Sequence, residues 1–398
     1  MIDATALAPT TELSDEERAR RERQRTGALS GILEYFISPS TGAILVPLDG
    51  RLYHLDLADD TSSGGSTLAT RVTKIGPSSG AATDATFSPR GSLVAFVCDQ
   101  NLHMTDLTLC ESRRLTTDGG GPIKNGMSEF VAQEEMNRHT GYWWSPHGSH
   151  IAFARVDESR VSLKDRFEIA ADGIAAHSQR YPAAGQLNVS IQLGVVAIAS
   201  GHTVWMDLGD DPDFYLARVG WLPGGRSLAV QIQSRDQRRL DLRFFNIETG
   251  SGRAILTETS DTWVEPHDEL SFLSSSDEFI WASSRDGHRH LYLYDIRGQR
   301  LRQLTAGEWD VDDLRGRALK SIDEKGRWIY FTATAKDPTE RHLYRCPLDP
   351  GPTGNVDPPT PQRISHEEGL HSVKMAPGTD FYVDLFASET QPPRLDLR

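Results

Sequence analysis

Along most of the chain, apolar and polar residues alternate with a period of two, and the helical period of 3.6 is nearly absent. The alternation comes in copies of one design. "ATFSPRGSLVAFV" (Ala85 to Val97) and "YWWSPHGSHIAFA" (Tyr142 to Ala154) each join an aromatic strand end to an alternating apolar strand through a Ser-Pro turn with a following glycine. "VGWLPGGRSLAVQ" (Val219 to Gln231) repeats it, "YFISPSTGAILVPL" (Tyr35 to Leu48) precedes it, and weaker copies follow in "LSFLSSSDEFIWASS", "IDEKGRWIYFTAT" and "VKMAPGTDFYVDLFA". Several copies continue into a second strand pair with a small polar turn, as in "LVPLDGRLYHLDL" and "SSRDGHRHLYLYDI".

The turns recur at roughly 50-residue steps, the signature of a repeat architecture. One gap, from Pro146 to Pro223, is longer and has room for a degenerate unit in "NVSIQLGVVAIASGHTVWMDL" (Asn188 to Leu208). Repeats of about four short strands, punctuated by glycine and proline, predict an all-β fold, an eight-bladed β-propeller. A pair of β-sandwiches is the alternative, but a sandwich does not demand a fixed period, whereas each blade of a propeller buries its faces only against its neighbours.

Two segments break the strand pattern. Ser14 with Glu17 in "LSDEERARRERQR" forms a capping box, and the run predicts a helix from Asp15 to Arg25. "SEFVAQEEMNRH" predicts about two helical turns between strands. The expected organisation is a flexible stretch over 1–13, an arginine-bearing helical segment over 14–30, and the propeller over 31–398.

Composition narrows the function. The chain has 398 residues and a formal charge of −14, from 42 Lys and Arg against 56 Asp and Glu. That balance repels nucleic acid. The three cysteines, Cys98, Cys110 and Cys346, make neither a disulfide framework nor a zinc site, and no cofactor or metal is expected. No apolar run reaches the length of a membrane span, and the first residues do not read as a signal peptide, so the cytoplasm is the expected compartment. None of the 13 histidines sits in a metal-binding spacing, and His267 and His288 read as blade residues.

The chemistry concentrates in "FVAQEEMNRHTGYWWSP" (Phe130 to Pro146), where Glu134 and Glu135 precede Trp143 and Trp144. An acid pair is ordinarily a solvated helix face. Here the helix interrupts a blade that has no need of it. Two adjacent carboxylates repel unless a cation joins them, and that cation can be an arginine of the chain or a ligand ammonium.

The same stretch resembles the glutamate-pair motif of the dipeptidyl peptidase IV family of serine exopeptidases, particularly the cytosolic dipeptidyl peptidases 8 and 9 and their bacterial relatives. "LSDEERARRERQRTG" is similar to their arginine-bearing N-terminal segment, "RYPAAGQLNVSIQLGVV" to their Tyr-Pro stretch, and "TDTWVEPHDE", "RDGHRHLYLYD", "AGEWDV" and "FASETQPPRLDL" to later blades. The resemblance runs from about Ser14 to Arg398. It implies an eight-bladed propeller that caps an α/β-hydrolase domain and gates the substrate chamber. It also implies that Glu134 and Glu135 bind the free α-ammonium of a peptide substrate and that Arg25 contacts the bound dipeptide.

Two carboxylates can accept all three ammonium donors, and a guanidinium offers a planar fork to an acceptor oxygen. The family's Gly-x-Ser-x-Gly elbow does not occur in this sequence, so no catalytic triad can be nominated. The expected partners are peptides with a free N-terminus and an α/β-hydrolase catalytic domain, with homodimers only when that domain is present. A blade extension that could serve dimerisation, around Val195 to Asp213, reads as short. A free-standing propeller that binds peptides or proteins without chemistry is the second reading.

Overall fold

The computed structural model describes residues 13–398 apart from 28, 30, 61–66, 78, 315 and 351–356. All but the last residue of the stretch expected to be flexible therefore lies outside the described residues. The fold is all-β. Two compact units divide the chain: residues 1–236 with 243–253, and residues 237–242 with 254–398.

The first unit carries three sheets and most of a fourth. Strands Phe36–Ile37, Ile44–Leu48, Arg51–Asp60 and Thr67–Ile75 form the first antiparallel meander, and Ala82–Phe87, Leu93–Cys98, Asn101–Asp106 and Glu111–Arg114 form the second. The third consists of Tyr142–Trp144, His150–Asp157, Ser190–Ala197 and Thr203–Trp205. Phe214–Trp221, Ser227–Ser234, Arg239–Asn246 and Gly252–Thr259 make the fourth, through which the division runs.

In the second unit, the fifth sheet has strands Ser271–Phe272, Glu278–Ser283, His290–Asp295 and Arg300–Gln303. The sixth has Leu319–Asp323, Trp328–Ala333, His342–Pro347 and Gln362–Arg363, and the seventh has Leu370–Met375, Tyr382–Ala387 and Arg394–Leu397.

The Ser-Pro-x-Gly design has a local cause. The Ser88 and Ser145 amides donate across the hairpin to the carbonyls of Leu93 and His150, and the amides of Leu93 and His150 donate back to the serine hydroxyls. Gly91 and Gly148 sit at φ +72° and +70°, the left-handed conformation that lets a short turn re-enter a strand. Alternating positions then pack the sheets on one another. Ala152, Ala154, Leu193, Leu216, Leu228 and Phe245 form one such layer in the first unit, and Ile280, Leu291, Ile329 and Phe331 form one in the second.

A second repeat was not read from the sequence. The hydroxyl at the end of a fourth strand accepts the amide of the third: Thr116 from Leu102, Thr305 from Leu291 and Ser365 from Leu343. His290 and His342 lie one residue before those amides, fully buried, each with Nδ1 on the same hydroxyl. His267 packs its ring against Trp281 at 4.1 Å.

Two expectations change. The described residues form seven meander sheets, one for each of the seven visible sequence copies. The long gap does not hide a further unit: Ser190–Ala197 and Thr203–Trp205 are the last two strands of the third sheet. What lengthens the gap is a hairpin inserted before them, Leu163–Ala170 paired with Gly173–Arg180 as a separate two-stranded sheet. This hairpin, not Val195 to Asp213, is the blade extension. Its alternation is that of any blade hairpin, so the sequence carries no mark that its faces lack a covering sheet. Phe167, Ile169 and Ile174 are all exposed on it.

Candidate functional site

The first site element is helix α1, Asp15–Arg23. Ser14 caps it by accepting the amide of Glu17, as the capping box requires. It ends two residues earlier than the arginine run suggested. Arg25 takes φ +56°, its amide bonds to Glu22 O, and the Thr26 amide reaches back to Arg21 O. That pair of bonds is a Schellman termination with Arg25 at the position where glycine is usual. The Arg25 side chain is exposed.

The arginines of α1 have distinct partners. Arg20 makes a forked pair with Glu34 at 2.7 and 2.8 Å, and Arg21 donates to Glu17 at 2.9 Å. Burial alone would lower the Arg20 pKa, but the hydrogen bond and charge of Glu34 hold it above its ordinary value. Glu17 also accepts from the Thr83 hydroxyl at 2.5 Å, which ties α1 to the first strand of the second sheet.

The second element is helix α2, Phe130–Glu135, and its position explains why a blade carries a helix. Ile123–Asn125 and Tyr142–Trp144 both pair with His150–Asp157, at its two ends. The edge position of the third sheet is thus filled by an interrupted strand, and residues 126–141 loop out between its halves. Gly141 closes the loop against Met127, where any Cβ would meet backbone at 2.3–2.4 Å. At the entrance to α2, Glu129 is buried and paired with buried Arg138. Arg138 also donates to Leu216 O at 3.0 Å and Thr140 O at 3.1 Å, so both ends of α2 are fixed to the neighbouring strand.

With its flanks so fixed, α2 presents Glu134 and Glu135 to solvent at its C-terminal end. The structure brings one arginine of α1 to them, and it is Arg23. Its Nη1 donates to Gln133 Oε1 at 2.8 Å, its Nε lies 3.4 Å from Glu134 Oε1, and its guanidinium covers the Phe130 ring at 5.3 Å. Gln133 is held for this by its own amide, which donates to Ser128 O at 2.6 Å. Burial pulls the Arg23 pKa below its ordinary value, against the opposing charge of Glu134. The Tyr215 hydroxyl is pushed up by burial, with Arg235 opposing and Asp213, Glu129 and Glu135 adding to the rise. Among the described residues, Arg25 makes no ion pair with either glutamate.

The result is an exposed anionic patch, two carboxylates with one guanidinium beside Glu134. Among the described residues no cluster of side chains could hold a metal ion. A cavity of about 440 Å³, lined by His147, His150, His202, Arg226 and Glu248, shares no lining residue with the patch.

A family model described as "Dipeptidyl peptidase IV (DPP IV) N-terminal region" matches residues 46–393. The chain belongs to the dipeptidyl peptidase IV family. Among its relatives, a probable dipeptidyl peptidase 4 of Aspergillus fumigatus is 29% identical over 276 residues, 65% of this chain and 35% of the relative. A probable dipeptidyl-aminopeptidase B of Emericella nidulans is 28% identical over 325 residues, 75% of this chain and 35% of the relative. The chain thus spans about a third of the length of these relatives. The crystal structure of Porphyromonas gingivalis dipeptidyl peptidase 4 superposes with a TM-score of 0.77, covering 94% of this chain and 52% of that one at 24% identity, and matches its fold. The residues beside the glutamate pair that sequence reasoning did not name are Arg23, Gln133 and Phe130. The arginine run gave no cue to choose among its members, since a helix period of 3.6 decides which of them faces α2 and the Schellman termination leaves Arg25 beyond the helix end, exposed.

Proposed function

We propose that this chain is the substrate-gating, N-terminus-binding part of a dipeptidyl peptidase that also carries an α/β-hydrolase domain. Glu134 and Glu135 accept the α-ammonium of a peptide, Arg23 lies alongside to meet the dipeptide's oxygens, and the hydrolase domain supplies the nucleophile. The observation that carries this reading is the adjacent, solvent-facing carboxylate pair on a helix whose flanks are locked by Glu129 with Arg138. A fixed ammonium depth accounts for cleavage after the second residue, because the scissile bond is then held at one distance from the anchor.

The test uses the protein with its hydrolase domain and a free-amine dipeptide substrate. Each charge-assisted bond is worth roughly 1.5–3 kcal/mol, and each 1.4 kcal/mol is about tenfold. Glu134→Gln or Glu135→Gln is therefore expected to lower kcat/KM by about 10- to 150-fold. An N-acetylated substrate, which has no ammonium, is expected to be poor with the parent and indifferent to both changes. Parental kcat/KM in both folded variants on the free-amine substrate would refute the anchor. Residues 1–398 alone, with no elbow nucleophile, are expected not to turn the substrate over.

A further inference from the structure

The two helices of the site come from different parts of the chain, and one irregularity in the second sheet touches both. In the pairing of Ala82–Phe87 with Leu93–Cys98, Thr83 lies opposite Val97 and Thr86 opposite Ala95. Asp84 and Ala85 therefore share a single partner position, a β-bulge, and Asp84 takes φ +49°. A bulge re-aims the side chains around it. Here Thr83 donates to Glu17 of α1 at 2.5 Å, while Asp84 accepts the hydroxyl of Thr140 at 2.7 Å, at the far end of the loop that carries α2. The carbonyl of Asp84 lies against the Tyr142 hydroxyl, which also meets Ala95 O and the Thr86 hydroxyl. Arg20 of α1 attracts the Asp84 carboxylate, with Glu34 and Glu17 opposing.

We propose that Asp84 is a positioning residue for the ammonium site, its negative charge holding α1 and the α2 loop in register. The proposal rests on the reading of that site given above and extends it. Three features set Asp84 apart from ordinary blade polarity: a left-handed backbone at a non-glycine residue, a bulge, and a carboxyl that burial pushes up to about 6. Its charged form is thus retained at neutral pH against the preference of its surroundings, as expected of a group kept for its charge. The titratable and charged groups facing it are Arg20 and Glu17 from α1, Glu34 from the segment after it, and Tyr142 from the third sheet. Nearby His139 is held below its usual pKa, first by burial and then by Arg20.

The test is amide hydrogen exchange on the 398-residue chain, corrected for intrinsic rates, with thermal unfolding measured in parallel. In Asp84→Asn at pH 7.5, exchange in α1 and α2 is expected to rise about tenfold while the Tm stays level or rises, since a charge-assisted bond is roughly twice as strong as a neutral one. The parent is expected to show the same local rise on going from pH 7.5 to 5.5, and the variant to be insensitive to that change. Unchanged exchange in Asp84→Asn would overturn the proposal. So would faster exchange accompanied by a lower Tm, which is ordinary destabilisation. No substrate enters this experiment, so it stands apart from the glutamate test: inert Glu134 and Glu135 variants would remove the ammonium reading while leaving the joint at Asp84 intact.

Discussion

Replacing Arg25 by glycine separates the two arginines that can serve the site. Arg25 occupies the C′ position of α1 at φ +56°, where a residue with a Cβ is strained by roughly 1 kcal/mol and glycine is not. Its side chain is exposed, and the terminating bonds, from its own amide to Glu22 O and from the Thr26 amide to Arg21 O, do not depend on it. Arg25→Gly is therefore expected to tighten the helix end, slowing exchange of the last α1 amides by about fivefold, the equivalent of about 1 kcal/mol. Catalysis by the protein with its hydrolase domain is expected to stay within about twofold of the parent on a free-amine dipeptide substrate, since no charge-assisted bond to the substrate is lost. Arg23→Gln removes the contacts to Gln133 and Glu134 and the cover over Phe130. With one charge-assisted bond lost, it is expected to lower kcat/KM by tenfold or more. A tenfold loss in Arg25→Gly with slowed α1 exchange would mean that Arg25 reaches the substrate, and the choice of Arg23 would fall.

Other expectations follow from the same geometry. Glu129→Ala leaves Arg138 buried without its counter-charge and is expected to cost about 3–5 kcal/mol in urea unfolding, much of it recovered by adding Arg138→Met. Gly141→Ala drives a methyl into the Met127 backbone, and a fall in Tm together with loss of α2 protection is expected; a wild-type Tm would refute the close approach. Because the folded Asp84 carboxyl is raised to about 6, the folded state binds more protons between roughly pH 4 and 6. Stability from this group is thus full below the unfolded pKa and falls by about 3 kcal/mol as pH rises through 6, a slope that Asp84→Asn should remove from pH-dependent unfolding curves. Glu324 behaves oppositely. Burial pushes its carboxyl up, but hydrogen bonds from Ser274 and Ser275 bring it down to about 2, so its contribution is present at neutral pH and lost as pH falls toward 2; Glu324→Ala should flatten that acid limb.

The blade pattern was legible because its cause is local. At Ser88 and Ser145, Ser-Pro-x-Gly fixes a hairpin turn through its own hydroxyl and its own left-handed glycine, and each visible copy corresponds to one sheet. The extra unit expected between Pro146 and Pro223 was not there, because an inserted hairpin and a strand pair of a blade have the same alternation. Only tertiary pairing distinguishes them. The glutamate pair was legible as two acids without a blade role. The arginine beside it was not, because the choice among Arg18 to Arg25 depends on where α1 terminates and on Gln133, a residue with no sequence signal of its own. Asp84 was invisible for a similar reason: a bulge is a property of two strands in register, and one strand read alone does not reveal it.

The hairpin Leu163–Arg180 also bears on how the third sheet forms. Asp157 pairs with Ser190, so this sheet must close a loop of about thirty residues before its central pairing exists, a step whose entropic cost grows with the logarithm of loop length. The hairpin needs nothing beyond its own eight-residue strands to begin pairing, and it brings Leu163 against Arg180. Once formed, it cuts the remaining loop by about half, which lowers the closure cost by about 0.6 kcal/mol. If it pairs first, the arm would act during folding as a splint between strands far apart in sequence. The same logarithm means that variants with a longer or shorter arm would assemble this sheet at nearly the same cost.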